Sequence, residues 1–221
     1  LFDDDKVNHF SLSENDINAN AVKTLYFASI GKYAKMYEPT KRLKNSSVFL
    51  IGLGAVGSRV ASSLALNGLG KLFASDSKEV GPADIELGPY TNHNAGTQRG
   101  EALRSILPDK TELHWVKADL PNKQFLNCLN LADLVICCSE NRSLLYRSSL
   151  NRMCVTQGKT WLNTAVYEDY GEVGPTVIPY MSPCFDCYFL RINSNIDDIE
   201  LHTAYQEQLM SDEKQLGLLS P

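Results

Sequence analysis

The chain has 221 residues, 43% of them hydrophobic and 21% charged, with a formal net charge of −5. That length suits one substantial α/β domain with additions, and the negative balance argues against a general nucleic-acid binder, which carries a basic face. No apolar run approaches the ~20 residues of a membrane span, and Leu1–His9 is too acidic for a signal peptide, so a cytoplasmic protein is expected.

Leu1 is not an initiator methionine and Leu219-Ser220-Pro221 is not an obvious finish, so a longer parent chain is expected. Residues 1–20 are polar and aperiodic, as in a linker or the tail of a preceding domain. Residues 21–38, with Tyr26, Phe27, Tyr33, Met36 and Tyr37, read as a helix plus turn ended near Pro39. Ser47–Ile51 is an apolar, β-branched run ending in glycine, the pattern of a buried strand. Ala55–Asn67 carries helical spacing and stops at Asn67-Gly68. Leu72–Ser75 is a second strand ending at Asp76. Helices over 97–107, 121–131 and 141–156 then alternate with strands over 112–116, 133–137 and 160–165. Such βα repetition specifies a Rossmann-like, doubly wound, mostly parallel sheet covered on both faces. After Tyr170 the pattern changes. Residues 171–179 read as a strand, Cys184–Cys187 as part of a loop in a cysteine-containing extension, and the polar segment 193–221 as helical over 203–216.

Gly52-Leu53-Gly54-Ala55-Val56-Gly57 fits G-x-G-x-x-G between a strand and a helix, and Asp76 follows at about the ~20-residue spacing of a ribose-binding acid. Glycine permits the tight turn and close approach of backbone N–H groups to phosphate, while the helix N-terminus adds roughly half a positive charge. Asp76 would accept hydrogen bonds from ribose hydroxyls. The competing reading is that these glycines serve only close helix–strand packing.

The six cysteines are Cys128, Cys137, Cys138, Cys154, Cys184 and Cys187. Their placement is not that of a secreted disulfide framework. Cys137 and Cys138 lie in an apolar run and read as core thiols. Cys184-x-x-Cys187 has the spacing of half a four-cysteine zinc site, with a pair of free thiols or a redox pair as alternatives. The four histidines are scattered and read as surface or satisfied groups. His93 is singled out only for its loop, Tyr90–Asn94, where a substrate contact is one hypothesis. Asp197-Asp198-Ile199-Glu200 reads as a solvated acidic face or a docking site for a basic segment. Trp115 and Trp161 read as core or interface aromatics.

The segment Ile51–Asp76, with Ser139-Glu140-Asn141 after a later strand, resembles the adenylating fold of the ThiF/MoeB family of ubiquitin-activating-enzyme-like proteins. The resemblance spans roughly residues 21–192. It implies activation of carboxylates as acyl-adenylates with ATP and magnesium. At family positions this sequence departs: the upstream arginine falls on Ala28 and the Asn-x-x-Arg element on Asp84-Ile85-Glu86-Leu87. The lysine falls on Arg99, and the aspartate of T-D-N on Glu140. Losing two cationic contacts to a triphosphate is worth roughly 3–6 kcal/mol, about two to four decades. Arg99 is left to hold a phosphate and Glu140 a magnesium ion. The resemblance also implies that a second, downstream cysteine pair completes a structural zinc site with Cys184 and Cys187.

Further segments, Leu25-Tyr26-Phe27-Ala28-Ser29, Val80-Gly81-Pro82-Ala83-Asp84, Gly174–Pro179 and Pro183–Cys187, resemble the ThiF-like proteins of azole- and azoline-peptide biosynthesis. That resemblance implies a subunit that binds a precursor's leader peptide and works with a YcaO cyclodehydratase, the peptide clamp lying upstream of Leu1. A homodimer or mixed assembly is expected with it. Two other readings stand beside this scaffold role: an active adenylyltransferase using Asp76, Arg99 and Glu140, and a nicotinamide-dependent dehydrogenase built on the glycine loop.

Overall fold

The computed structural model describes residues 21–30, 37–118, 121–140, 143–166, 170–195 and, beyond them, 200, 203, 204 and 208. Residues 1–20, Asn141 and most of the 193–221 segment, including Asp197–Ile199 and most of the helix expected over 203–216, lie outside the described residues.

In chain order the elements are α1 (Ala21–Ile30), α2 (Glu38–Asn45), β1 (Ser47–Ile51), α3 (Ala55–Leu66), β2 (Lys71–Ser75), α4 (Pro82–Leu87), α5 (Arg99–Ile106) and β3 (Glu112–Val116). They continue with α6 (Lys123–Leu131), β4 (Leu134–Cys137), α7 (Leu144–Thr156), β5 (Thr160–Val166), β6 (Gly171–Val177) and α8 (Phe185–Asn193). The strands form one sheet in the order β3-β2-β1-β4-β5-β6. The first five run parallel, and β6 closes one edge antiparallel to β5. This is the doubly wound α/β arrangement anticipated from the alternating pattern, with an antiparallel edge strand.

All five residues of β1 are buried, as its central place requires. Because successive side chains point to opposite faces, β1 feeds two cores. Phe49 and Ile51 pack with Phe125, Leu129, Leu150 and Trp161 beneath α6 and α7. Val48 and Leu50 pack with Ala61, Ala65 and Leu103 beneath α3 and α5. Cys137, Cys138 and Cys154 are buried, as core thiols should be, and burial pushes the thiols of Cys138 and Cys154 up to about 12.

Two local expectations are corrected. Pro39 does not end a helix; it lies in the first turn of α2, where a proline's missing N–H costs nothing and its fixed φ suits the helix. Cys184 and Cys187 are not in a loop. Cys184 is the N-cap of α8, and Cys187 lies in that helix's first turn.

Candidate functional site

The doubly wound topology opens a crevice where the chain leaves β1 and β4 in opposite directions, at the carboxyl ends of the strands. Three segments meet there: the glycine loop after β1, Asp76 after β2, and Cys138–Glu140 after β4. Gly52 has φ +91°, and a Cβ there would lie 2.8 Å from the Cys138 carbonyl oxygen. A Cβ on Gly57 would lie 1.9 Å from the Gly52 carbonyl oxygen, so Gly57 is required for α3 to pack against the loop. Gly54 differs. A Cβ there would meet Glu140 Oε1 at 2.2 Å, so the carboxylate of Glu140 occupies the space above the loop.

Arg99 is the hub of the site. It is 7% exposed and reaches from the start of α5 into the crevice. Its Nε donates to Asp84 Oδ2 at 3.0 Å and its Nη2 to Asp84 Oδ1 at 2.9 Å, a two-pronged pairing. Nη1 donates to Asp76 Oδ2 at 3.3 Å, and Nη2 also reaches Glu140 Oε1 at 3.3 Å. Lys78 Nζ holds the other oxygen of Glu140 at 3.1 Å. Burial works against the guanidinium's charge, but Asp76, Glu140 and Asp84 outweigh it and raise its pKa. Burial likewise disfavours a charged Glu140; Arg99 and Lys78 outweigh that and lower its pKa.

Asp76 is 3% exposed, and its oxygens are already engaged. Oδ2 accepts the Leu53 amide at 2.6 Å and Oδ1 the Lys78 amide at 2.7 Å. Burial dominates and raises its pKa, against the pull of the Leu53 amide and Arg99. The ribose-type acid therefore ties β2 to the glycine loop from within the protein.

Asp84, read in the sequence only as a replaced asparagine, makes the two shortest bonds to Arg99. It also accepts the Gly81 amide at 2.9 Å, stabilising the start of α4. Its signal was the Gly81-Pro82-Ala83-Asp84 helix start, with proline at the first position and an acid two residues on. Trp115, on β3, packs over Gly100, where a Cβ would be 2.1 Å from the indole, and donates to the Asp76 carbonyl at 3.1 Å. This contact fixes the end of α5 that carries Arg99. Arg147, on α7, was missed as well. It shares a buried face with Leu150, Asn151 and Cys154, and a basic residue at helical spacing within that face was the available sign.

The residues singled out earlier thus separate. Gly52, Gly54, Gly57, Asp76, Arg99 and Glu140 converge in the crevice, whereas Cys184 and Cys187 form a distinct pair whose sulfurs are 3.6 Å apart. Two ~2.3 Å zinc–sulfur bonds at a tetrahedral angle place their sulfurs ~3.8 Å apart, so the spacing fits two ligands of one zinc. No third His, Cys, Asp or Glu joins them among the described residues. His93 is exposed, in a short 3-10 turn over Asn92–Asn94. Trp161 is fully buried in the core.

The ThiF family profile matches residues 25–209. This chain belongs to the ThiF family. It is 30% identical over 176 residues to ubiquitin-like modifier-activating enzyme 5 of Rattus norvegicus, covering 72% of this chain and 43% of that protein. Among solved structures it resembles E. coli MccB bound to MccA-N7isoASN, with TM-score 0.69 and 18% identity over 87% of this chain and 60% of that one. It also resembles PaaA, with TM-score 0.73 and 17% identity over 93% of this chain and 69% of that one. At those identities the structural likeness carries the fold alone. The ThiF chain described here spans about two fifths of the length of its curated relatives. Among the described residues no helix is long and apolar enough to cross a membrane.

Proposed function

We propose that this ThiF-family chain is the peptide-binding scaffold of a synthetase that modifies ribosomally made peptides, presenting a leader-bearing precursor to a YcaO-type cyclodehydratase. The observation that carries this reading is the commitment of Arg99. Its bonds to Asp84, Asp76 and Glu140 use four of the five N–H donors that a guanidinium has. A triphosphate entering the crevice would have to displace carboxylates from Arg99 and meet Glu140 above Gly54. The likeness in fold to MccB, a microcin C7 biosynthetic enzyme crystallised with MccA, supports this reading. A homodimer or mixed assembly and a structural zinc held by Cys184 and Cys187 with two further cysteines belong to the same proposal.

The second reading, an active adenylyltransferase, is favoured by the retained glycine loop and by the 30% identity to an activating enzyme. In that case Glu140 would turn to a magnesium ion and Arg99 to a phosphate. ATP–pyrophosphate exchange with the purified protein and a precursor peptide separates the two. The scaffold reading expects no exchange by this protein alone, and ATP turnover only once the cyclodehydratase is added. Peptide-dependent exchange without the partner, abolished by Asp76→Ala, would establish the adenylyltransferase instead.

A further inference from the structure

Asn151, on α7, is a buried polar residue, 3% exposed, that faces the start of the cysteine-bearing helix α8. Its Oδ1 accepts the Phe185 amide at 3.1 Å and Trp161 Nε1 at 3.3 Å. Its Nδ2 donates to Asp186 Oδ2 at 3.0 Å and also to the Cys184 sulfur. An asparagine amide has two donor hydrogens and two lone pairs on its oxygen, so these contacts use all of it. One side chain thus ties three elements together: α7, the core of β5 through Trp161, and the first turn of α8.

α8 needs that tie. Its N-cap is Cys184, which makes no side-chain capping bond. A helix start leaves amides without acceptors inside the helix, and a Ser, Thr, Asp or Asn at the cap ordinarily supplies one. Here the Phe185 amide finds its acceptor on α7 instead. Phe185 is 4% exposed and packs with its ring centroid 5.7 Å from that of Trp161. One turn further on, Tyr188 donates to Glu172 of β6 and anchors the other flank of α8. Asn151 therefore touches Cys184, Phe185 and Asp186, three consecutive residues of the turn that brings the sulfurs of Cys184 and Cys187 to 3.6 Å.

We infer that Asn151 is the positioning residue of the cysteine pair: it fixes the turn that holds Cys184 and Cys187 at metal-chelating separation, and its Nδ2 supplies a hydrogen bond to the Cys184 sulfur. The inference rests on the structural zinc proposed above and deepens it by naming the side chain that sets the metal's grip. A zinc-bound thiolate keeps lone pairs and excess negative charge, and an N–H donor aimed at the sulfur offsets them. Partners of this outer kind typically account for about 10–100-fold in metal affinity. A residue that only filled the core would act as Leu150 does. That neighbour on α7 is 2% exposed, packs in the same core and has no polar group to offer.

The test measures zinc affinity of the full-length protein by competition with a chromophoric chelator, alongside the urea midpoint. Asn151→Ala is expected to weaken zinc binding by about 10–100-fold and to shift the sulfur-to-metal charge-transfer band of the cobalt-substituted protein. Leu150→Ala should lower the urea midpoint while leaving the zinc affinity of the folded protein and the cobalt band as in the wild type. Wild-type affinity in a folded Asn151→Ala protein, or an equal loss in Leu150→Ala, would overturn the inference. Should Asn151→Ala fail to fold, Asp186→Ala, which unties the same amide from the α8 side, takes its place in the same comparison. A wild-type protein that holds no zinc would remove the zinc reading by itself. Positioning is then read on the pair in a glutathione buffer, where two protein thiols close to a disulfide as one glutathione disulfide becomes two thiols. There Asn151→Ala should lower the equilibrium constant for the Cys184–Cys187 bridge by about tenfold, and an unchanged constant would overturn the inference.

Discussion

Arg99 sits where a lysine is expected in the family pattern, and its surroundings decide what the replacement does. A buried pair is costly to break from one side, because removing the cation leaves uncompensated carboxylates behind. Arg99→Met should therefore destabilise the protein by about 3–5 kcal/mol in urea unfolding, since Asp76 and Asp84 are both nearly inaccessible. A residue serving only a nucleotide phosphate would show no such loss in the free protein. Asp76 makes a second prediction. Its folded pKa is raised above the ordinary 3.8, so its contribution to stability is greatest below that value and is lost as pH rises through the raised one. Asp76→Asn should thus gain on the wild type in thermal unfolding as pH rises above the ordinary carboxylate value and through the raised one. Glu140 works in the other direction. Its lowered pKa gives stability present above its ordinary 4.5 and lost as pH falls through the folded value. That Gly52–Gly57 and Asp76 would share one site was legible from motif and spacing, and the family resemblance added Arg99 and Glu140 to it. That Arg99 would be saturated by acids was not, because Asp84 reaches it only once the chain folds back and bridges Glu79 to Gln98.

At the scale of elements, the glycine loop serves packing as much as it serves a ligand. Gly57 allows α3 to approach the backbone leaving β1, and Gly100 lets α5 lie against Trp115. Gly57→Ala would force a methyl into the Gly52 carbonyl and should cost about 1–3 kcal/mol or more, read as a lower urea midpoint at unchanged slope. A midpoint within error of wild type would mean that the loop shifts freely. The boundaries of the βα units were readable within a few residues because buried parallel strands are continuous apolar runs. The missed features are those set by helix ends. Pro39 is acceptable in a first helical turn and forbidden in a helix interior, and composition does not distinguish the two. α8 begins at Cys184, where a helix start on a cysteine lacks the usual Ser, Thr, Asp or Asn sign.

For the molecule as a whole, the sheet places the crevice and the cysteine pair as separate features. Cys184 has a lowered pKa: burial opposes its thiolate, but hydrogen bonds from the Cys187 backbone, Asn151 and the Cys187 thiol prevail. Two sulfurs 3.6 Å apart, one of them on a thiol with a lowered pKa, suit a metal. Elemental analysis of the full-length protein is expected to find about one zinc per chain, and Cys184→Ser to remove it and lower the melting temperature. Zinc retained in that variant would place the metal elsewhere. Sequence by itself determined the layered α/β class and the strand-loop-helix setting of the glycines, because both are written in local periodicity and spacing, while particular segments carried the ThiF resemblance. Tertiary structure alone decided which charges meet. Asp84 lies 15 positions from Arg99 and Glu140 41, and Arg147 meets Asn163 only where α7 lies across β5. Side chains so far apart in sequence interact only through the sheet that brings them together, and burial there turns a modest solvent-exposed attraction into a strong constraint on what can bind.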